Sequence, residues 1–172
     1  MKSVLLRKNL TMIQRELRIS YSEYAGMDEL PAADTGLVEE ARRISEKAYS
    51  PYSGFRVGAA VKLANGMIIT GNNQENAAYP SGLCAERTAL FYANPNFPDV
   101  PVEAIAISAA SSRGRVKEPV KPCGSCRQVI LETEARFHRP VTLVLDGKNG
   151  IQVFEGIDNL LPFSFKPEAL KA

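Results

Sequence analysis

The 172-residue chain has no tryptophan, a single histidine (His138) and only three cysteines. The missing tryptophan decides nothing. An odd cysteine count argues against a framework built purely of disulfides, and a reducing compartment would leave such thiols available as metal ligands. Charge of one sign is scarce too: 21 basic and 19 acidic side chains give a net charge of +2. That balance speaks against a polybasic binder of nucleic acid or membrane, although it permits a local patch. No apolar run approaches the length of a membrane span. Residues 1–8 start basic but hold only three apolar residues in a row, short of a signal-peptide core. A cytoplasmic protein without nucleic-acid or membrane partners is the expectation.

The length suits one domain with a real core, and an apolar fraction of 45% is ordinary for a globular protein. Residues 1–30 read as an N-terminal extension packed on the domain or on a neighbouring subunit. Residues 8–19 alternate brokenly, which fits an edge strand or a short helix. Residues 31–172 read as one domain. A helix is expected from Pro31, a suitable first position, to about Tyr49. Asp34 or Thr35 is its candidate N-cap, and Leu37, Ala41, Ile44 and Ala48 form its apolar face. Residues 57–63 and 67–71 predict two strands joined by a two-residue turn at Asn65-Gly66. Residues 72–83 form a long polar loop rich in hydrogen-bonding groups, suited to a polar small molecule. Helices are expected over 84–94 and 123–133, and strands over 104–108, 141–145 and 151–154. Residues 111–121 are a basic connection, and 167–170 a last helical turn. A hairpin followed by helix–strand alternation predicts an α/β sandwich around one mixed sheet.

All three cysteines fall in two short segments. Cys84-Ala85-Glu86 stands in one, and Pro122-Cys123-Gly124-Ser125-Cys126 in the other. Together they match the pattern (H/C)-x-E…P-C-x-x-C, in which a thiolate-bound zinc activates water and a Glu outside the ligand set shuttles protons. Cys84, Cys123 and Cys126 all sit at expected helix starts, where the helix dipole favours thiolate. Three thiolates and one Zn²⁺ sum to −1. Arg87 and Arg127 are placed to offset that excess by donating to the sulfurs. The open fourth position would take water, and Glu86 is free to accept its proton. Two alternatives stand beside this one: a structural Cys₃His site completed by His138, and a redox pair at Cys123 and Cys126.

Beyond these segments the chain resembles the small, homotetrameric cytidine deaminases. The resemblance rests on residues 49–60 (YSPYSGFRVGAA), 73–80 (NQENAAYP), 84–89, 122–128 and 160–165 (LLPFSF). It implies a three-layer αβα sandwich and one zinc per subunit on Cys84, Cys123 and Cys126. It implies Glu86 as proton shuttle and Arg87 as the group that neutralises thiolate charge. Asn73 and Glu75 would bind the ribose 3′-hydroxyl, and the Ala85 backbone would read the pyrimidine edge. Phe55 would pack on the base, as would Phe165 from a neighbouring subunit of a homotetramer. The implied activity is hydrolysis of cytidine and 2′-deoxycytidine to uridine and 2′-deoxyuridine with release of ammonia, as in pyrimidine salvage. The bland readings remain: Phe55 as plain core, Phe163 in place of Phe165, and Arg127 as a solvated helix residue. Competing functions are a deaminase of another cytosine compound, a polynucleotide editor using Arg113, Arg115, Lys117 and Lys121, and a non-enzymatic zinc protein.

Overall fold

The computed structural model describes residues 12–170. Its elements in chain order are β1 (Ser22–Tyr24), α1 (Ala32–Ser45), β2 (Arg56–Leu63), β3 (Ile68–Asn72), α2 (Ala85–Asn96) and β4 (Val102–Ser111). They continue with β5 (Gly114–Arg115), α3 (Gly124–Phe137), β6 (Thr142–Asp146) and β7 (Ile151–Glu155). The strands form one mixed sheet in the order β1-β7-β6-β4-β2-β3, with β5 paired to β4. β4 and β6 run parallel, and the other pairs run antiparallel.

Strand alternation divides the core into two faces. Val61, Leu63, Ile105, Ile107, Leu143, Leu145 and Phe154 point one way and pack with α2 and α3 residues Ala89, Leu90, Ile130 and Leu131. Ala60, Ala104, Ala106, Val144 and Val153 point the other way, under Leu37, Val38 and Ala41 of α1. Helices therefore cover both faces, which is the expected αβα sandwich. Each fully buried Leu or Ile contributes roughly 1.5–3 kcal/mol. Small residues on the α1 face let that helix sit close. A Cβ on Gly58 would lie 2.1 Å from the Ala41 carbonyl oxygen. Buried Asp146 binds this layer to the sheet. It accepts Arg42 Nε at 2.8 Å, Arg42 Nη2 at 2.7 Å and Ser108 Oγ at 2.7 Å.

Several boundaries differ from those expected. α1 stops at Ser45 because Tyr49 is drawn into backbone bonds: its N–H donates to Asn73 and its carbonyl accepts from Glu75. Pro31 precedes the helix, neither Asp34 nor Thr35 caps it, and its buried face is Leu37, Val38, Ala41 and Ser45. At Asn65-Gly66 only Gly66 takes a positive φ (86°). Leu63 N–H bonds to Met67 O across it, so the turn is longer than the two-residue form. α2 runs two residues past Asn94, through Pro95. α3 continues to Phe137 and ends on His138 in the left-handed conformation. Its extra turn is held by Glu134, whose Oε1 accepts Val141 N and Ile157 N, each at 2.9 Å. The basic connection contains β5, and β4 is longer than the expected 104–108. Residues 8–11 of the expected first element lie outside the described residues. Residues 12–21 form no regular element, and the edge strand is β1, paired with β7.

Gly71 of β3 sets the height of α2. A Cβ there would meet Ala89 N at 2.5 Å and Ala85 O at 2.7 Å, both helix backbone. Gly71→Ala is expected to cost about 1–3 kcal/mol by overpacking, whereas Gly36→Ala, in α1 with nothing within 4 Å of the added carbon, should stabilise by roughly 0.5–1 kcal/mol. Urea unfolding of the two variants checks both signs.

Candidate metal centre and its cleft

Cys84 stands immediately before α2, and Cys123 immediately before α3, with Cys126 in the first turn of α3. Both helices lie on the same face of the sheet, so their N-termini bring the three sulfurs together. All three Sγ atoms lie within 4.8 Å of one another. Cys84 Sγ is 3.8 Å from Cys123 Sγ, and Cys123 Sγ is 3.4 Å from Cys126 Sγ. Tetrahedral Zn–S bonds of about 2.3 Å place sulfurs ~3.8 Å apart, so this donor set fits zinc in both chemistry and spacing. His138 does not belong to it. His138 follows the last residue of α3, a 14-residue helix, about 21 Å along the axis from the cysteine end. The Cys₃His alternative is thereby excluded, and the convergence of Cys84 is more than a redox pair needs.

The charges around the sulfurs are graded. Hydrogen bonding from the Cys126 thiol, then from Arg87 and Cys123, holds the Cys84 thiol down at about 5 against the opposing effect of burial. The Cys126 thiol is pushed up, first by its bond to Cys84 and then by burial. Arg87 Nη2 donates to Cys84 Sγ at 3.7 Å. Arg127 does not reach the sulfurs, nor is it solvated. Its Nε donates to Pro122 O at 2.8 Å and its Nη1 to Leu160 O at 2.6 Å, tying the Cys123 loop to the C-terminal tail. Glu86 is 4% exposed. Burial is the main cause that raises its carboxyl above the usual range, and the charge of Cys84 adds to it.

A cleft of about 530 Å³ opens beside Cys84 and Arg87. Its polar wall is the extension of β3. Gln74 and Leu83 exchange backbone bonds at 2.9 Å in both directions, which folds the 74–83 loop back to deliver the chain to Cys84. Asn73 lines the cleft, and its amide clamps the chain around Arg56: Oδ1 accepts Val57 N at 2.7 Å and Nδ2 donates to Phe55 O at 2.9 Å. Glu75 also lines it. Its carboxylate accepts Tyr52 N at 2.9 Å, Ser53 N at 3.3 Å and the Ser53 hydroxyl, and that hydroxyl is the main cause that holds its pKa below the usual range.

Asn73, Glu75, Cys84 and Arg87 thus meet at one cleft. Its lining does not include Phe55, Ala85, Glu86 or Phe165. Ala85 and Glu86 are buried behind it, and Phe55 is half-buried. Phe165 is 60% exposed and Phe163 92% exposed. The sequence assigned no role to Tyr52, Ser53 or Tyr79, which also line the cleft. The two tyrosines meet edge to face with centroids 6.1 Å apart. Their signal was present: Tyr52-Ser53 lies in one quoted segment and Tyr79 in the next.

Comparison with known proteins agrees with this geometry. Residues 31–141 match the family model described as the cytidine and deoxycytidylate deaminase zinc-binding region. A cytidine deaminase of Halalkalibacterium halodurans is 46% identical over 96 residues, covering 56% of this chain and 68% of that protein. One of Mycobacterium tuberculosis is 35% identical over 104 residues, covering 60% and 74%. The crystal structure of cytidine deaminase from Burkholderia pseudomallei superposes with a TM-score of 0.65 at 39% identity, covering 76% of this chain and 97% of that one. Three convergent cysteines at two helix starts, a buried glutamate behind them and a family match across both cysteine segments lead to one assignment: the chain belongs to the cytidine and deoxycytidylate deaminase family.

Proposed function

We propose that this protein hydrolyses cytidine and 2′-deoxycytidine to uridine and 2′-deoxyuridine, releasing ammonia, as a step of pyrimidine salvage. The observation that carries the proposal is the three-sulfur group with buried Glu86 at its back and a polar cleft at its front. Zinc held by Cys84, Cys123 and Cys126 would supply a Lewis acid that makes water acidic near neutral pH. Glu86 takes a proton from the attacking water and gives it to N3 of the base; it then takes the second proton from the new C4 hydroxyl and gives it to the amine, which leaves as ammonia when the C4–N bond breaks. A carboxyl whose pKa is raised by burial suits both directions of that transfer. Arg87 offsets the thiolate charge through its contact with Cys84.

Glu75 and Asn73 would take the ribose 3′-hydroxyl, Glu75 with its carboxylate aimed by Tyr52, Ser53 and the Ser53 hydroxyl. The Ala85 backbone would read the base edge and Phe55 would pack on the ring. Exposed Phe165 would serve a neighbouring protomer, which makes a homotetramer the working assembly. No described helix is long and apolar enough to cross a membrane, and a cytoplasmic setting is proposed. Residues 31–172 would form the catalytic unit, with 1–30 as its extension.

Zinc analysis of purified protein is expected to give one ion per protomer, and Cys126→Ser should lose it. His138→Ala should keep it. Glu86→Gln is expected to retain zinc while kcat falls roughly 10²–10⁴-fold, the usual worth of a general acid–base group. Zinc-loaded protein that leaves cytidine untouched would remove the proposal. Arg87→Ala should keep the metal and lose roughly 10–100-fold in kcat, in line with a hydrogen bond to a charged group. An unchanged kcat would show that the arginine does not tune the site.

A further inference from the structure

The end of β4, the segment after it and the β6–β7 turn form a second concave surface, which is basic. A cleft of about 590 Å³ is lined by Arg113, Arg115, Lys117 and Lys148 and by no acidic residue. A smaller cleft of about 290 Å³ shares Arg115 and adds Arg42 and Arg56, with Glu46 as its one acidic lining residue. The acidic groups beside the larger cleft, Asp146 and Glu118, are already engaged. Asp146 is buried and held by Arg42 and Ser108, and Glu118 accepts the Asn149 amide. Arg115 Nε is 3.9 Å from Asp146 and makes no hydrogen bond. Among the described residues, no carboxylate lies within ion-pair distance of Arg56, Arg113, Lys117 or Lys148.

A solvated basic loop would satisfy the charge pattern alone. It would not explain walls that are fixed in place. Lys148 N donates to Val116 O at 2.9 Å, and Asn149 N to Lys117 O at 3.0 Å. The β6–β7 turn is thus bonded to the segment after β5. Gly147 lets the two backbones touch, since a Cβ there would lie 2.7 Å from Pro119 N and 2.8 Å from Lys117 O. Arg115 is fixed by the pairing of β5 with β4. Cations held together across a rigid concavity repel one another, and a bound anion relieves that repulsion at little ordering cost.

We propose that this basic cleft binds an oligophosphate chain, as inorganic oligophosphate or as the phosphate tail of a nucleotide. Several cations in a row match a linear polyanion better than one phosphate. Arginine forks bind phosphate bidentately, and the two lysines add point charges. The smaller cleft extends the track towards Arg56, whose flanking backbone is clamped by Asn73 of the nucleoside cleft. A ligand there would therefore touch a strand that also builds the proposed active site.

The test is calorimetric titration of the zinc-loaded full chain with inorganic tripolyphosphate at roughly physiological ionic strength. One site per protomer is expected. Substituting Arg113→Ser, Lys117→Ser and Lys148→Ser together should weaken binding at least about tenfold. Because all three side chains are exposed, the melting temperature and the turnover of cytidine without anion should stay unchanged. ATP titrated in parallel identifies the source: binding well above that of tripolyphosphate marks a nucleotide, and equal binding marks the phosphate chain alone. No heat at millimolar tripolyphosphate overturns the proposal, as does binding that survives the triple substitution. Single-stranded oligonucleotide binding without tripolyphosphate binding overturns it in favour of nucleic acid. Anion binding is read directly, so these outcomes stand apart from any failure of the deaminase activity.

Discussion

The contact on which the rest of the site depends is the close seating of α2 on β3 at Gly71. A side chain there would have to displace helix backbone rather than a flexible tip. The seat fixes the helix start, and with it Cys84 and Glu86. The same strand then runs on into Asn73 and Glu75, which form the cleft wall. One strand therefore sets both the metal ligand and the polar surface facing it. The paired backbone bonds between Gln74 and Leu83 close the loop between them, so its length does not become looseness at the site. Preorganisation of this kind is what lets a small domain hold a reacting group to a fraction of an ångström.

Charge is the second constraint. Three sulfur ligands would over-supply a divalent ion with negative charge, and a buried carboxylate two residues from one of them would make matters worse. The structure separates these charges by environment. Hydrogen bonds from Cys126 and Arg87 hold the Cys84 thiol down, while burial raises the Glu86 carboxyl. Helix N-termini favour the sulfurs, and a backbone N–H at the start of α2 also lowers the Glu86 carboxyl, but burial outweighs it. The proposed proton carrier and anionic ligands would need environments that drive their proton affinities apart.

The site was legible in the sequence because its ligands are local. Cys84 with Glu86, and Cys123 with Cys126, are each set by spacing at a helix start, and the two segments needed only a fold that brings two helix starts together. The hairpin followed by helix–strand alternation made an α/β sandwich around one mixed sheet legible as well, and the family resemblance implied its αβα layering. What escaped depends on distant partners. Arg127 lies one residue from a sulfur ligand, yet its guanidinium is captured by the Leu160 carbonyl, 33 positions away. The end of α1 was misplaced because Tyr49 bonds to the β3 extension, and nothing in residues 45–49 announces that. α3 outran its expected end because Glu134 finds two backbone donors supplied by segments that come later. Pattern reads periodicity well, but it cannot see which long-range acceptor wins a side chain.

The burial of the aromatic residues argues for how the cleft is completed. A pyrimidine ring needs an apolar face and the exclusion of water, yet the cleft built from one chain is open to solvent. Its own aromatic contribution is Tyr52 and Tyr79, which face each other and leave Tyr79 largely in solvent. Phe165 is held by its backbone, through Gln128 Nε2 at 2.8 Å, while its ring stays exposed. An anchored backbone that presents a large bare ring is a costly arrangement for an isolated protomer, because the ring loses freedom without losing contact with water. In the proposed homotetramer that cost would be recovered as the ring enters a neighbour's cleft. Assembly and substrate binding would then be coupled, since the surface joining the proposed protomers would also dry the base.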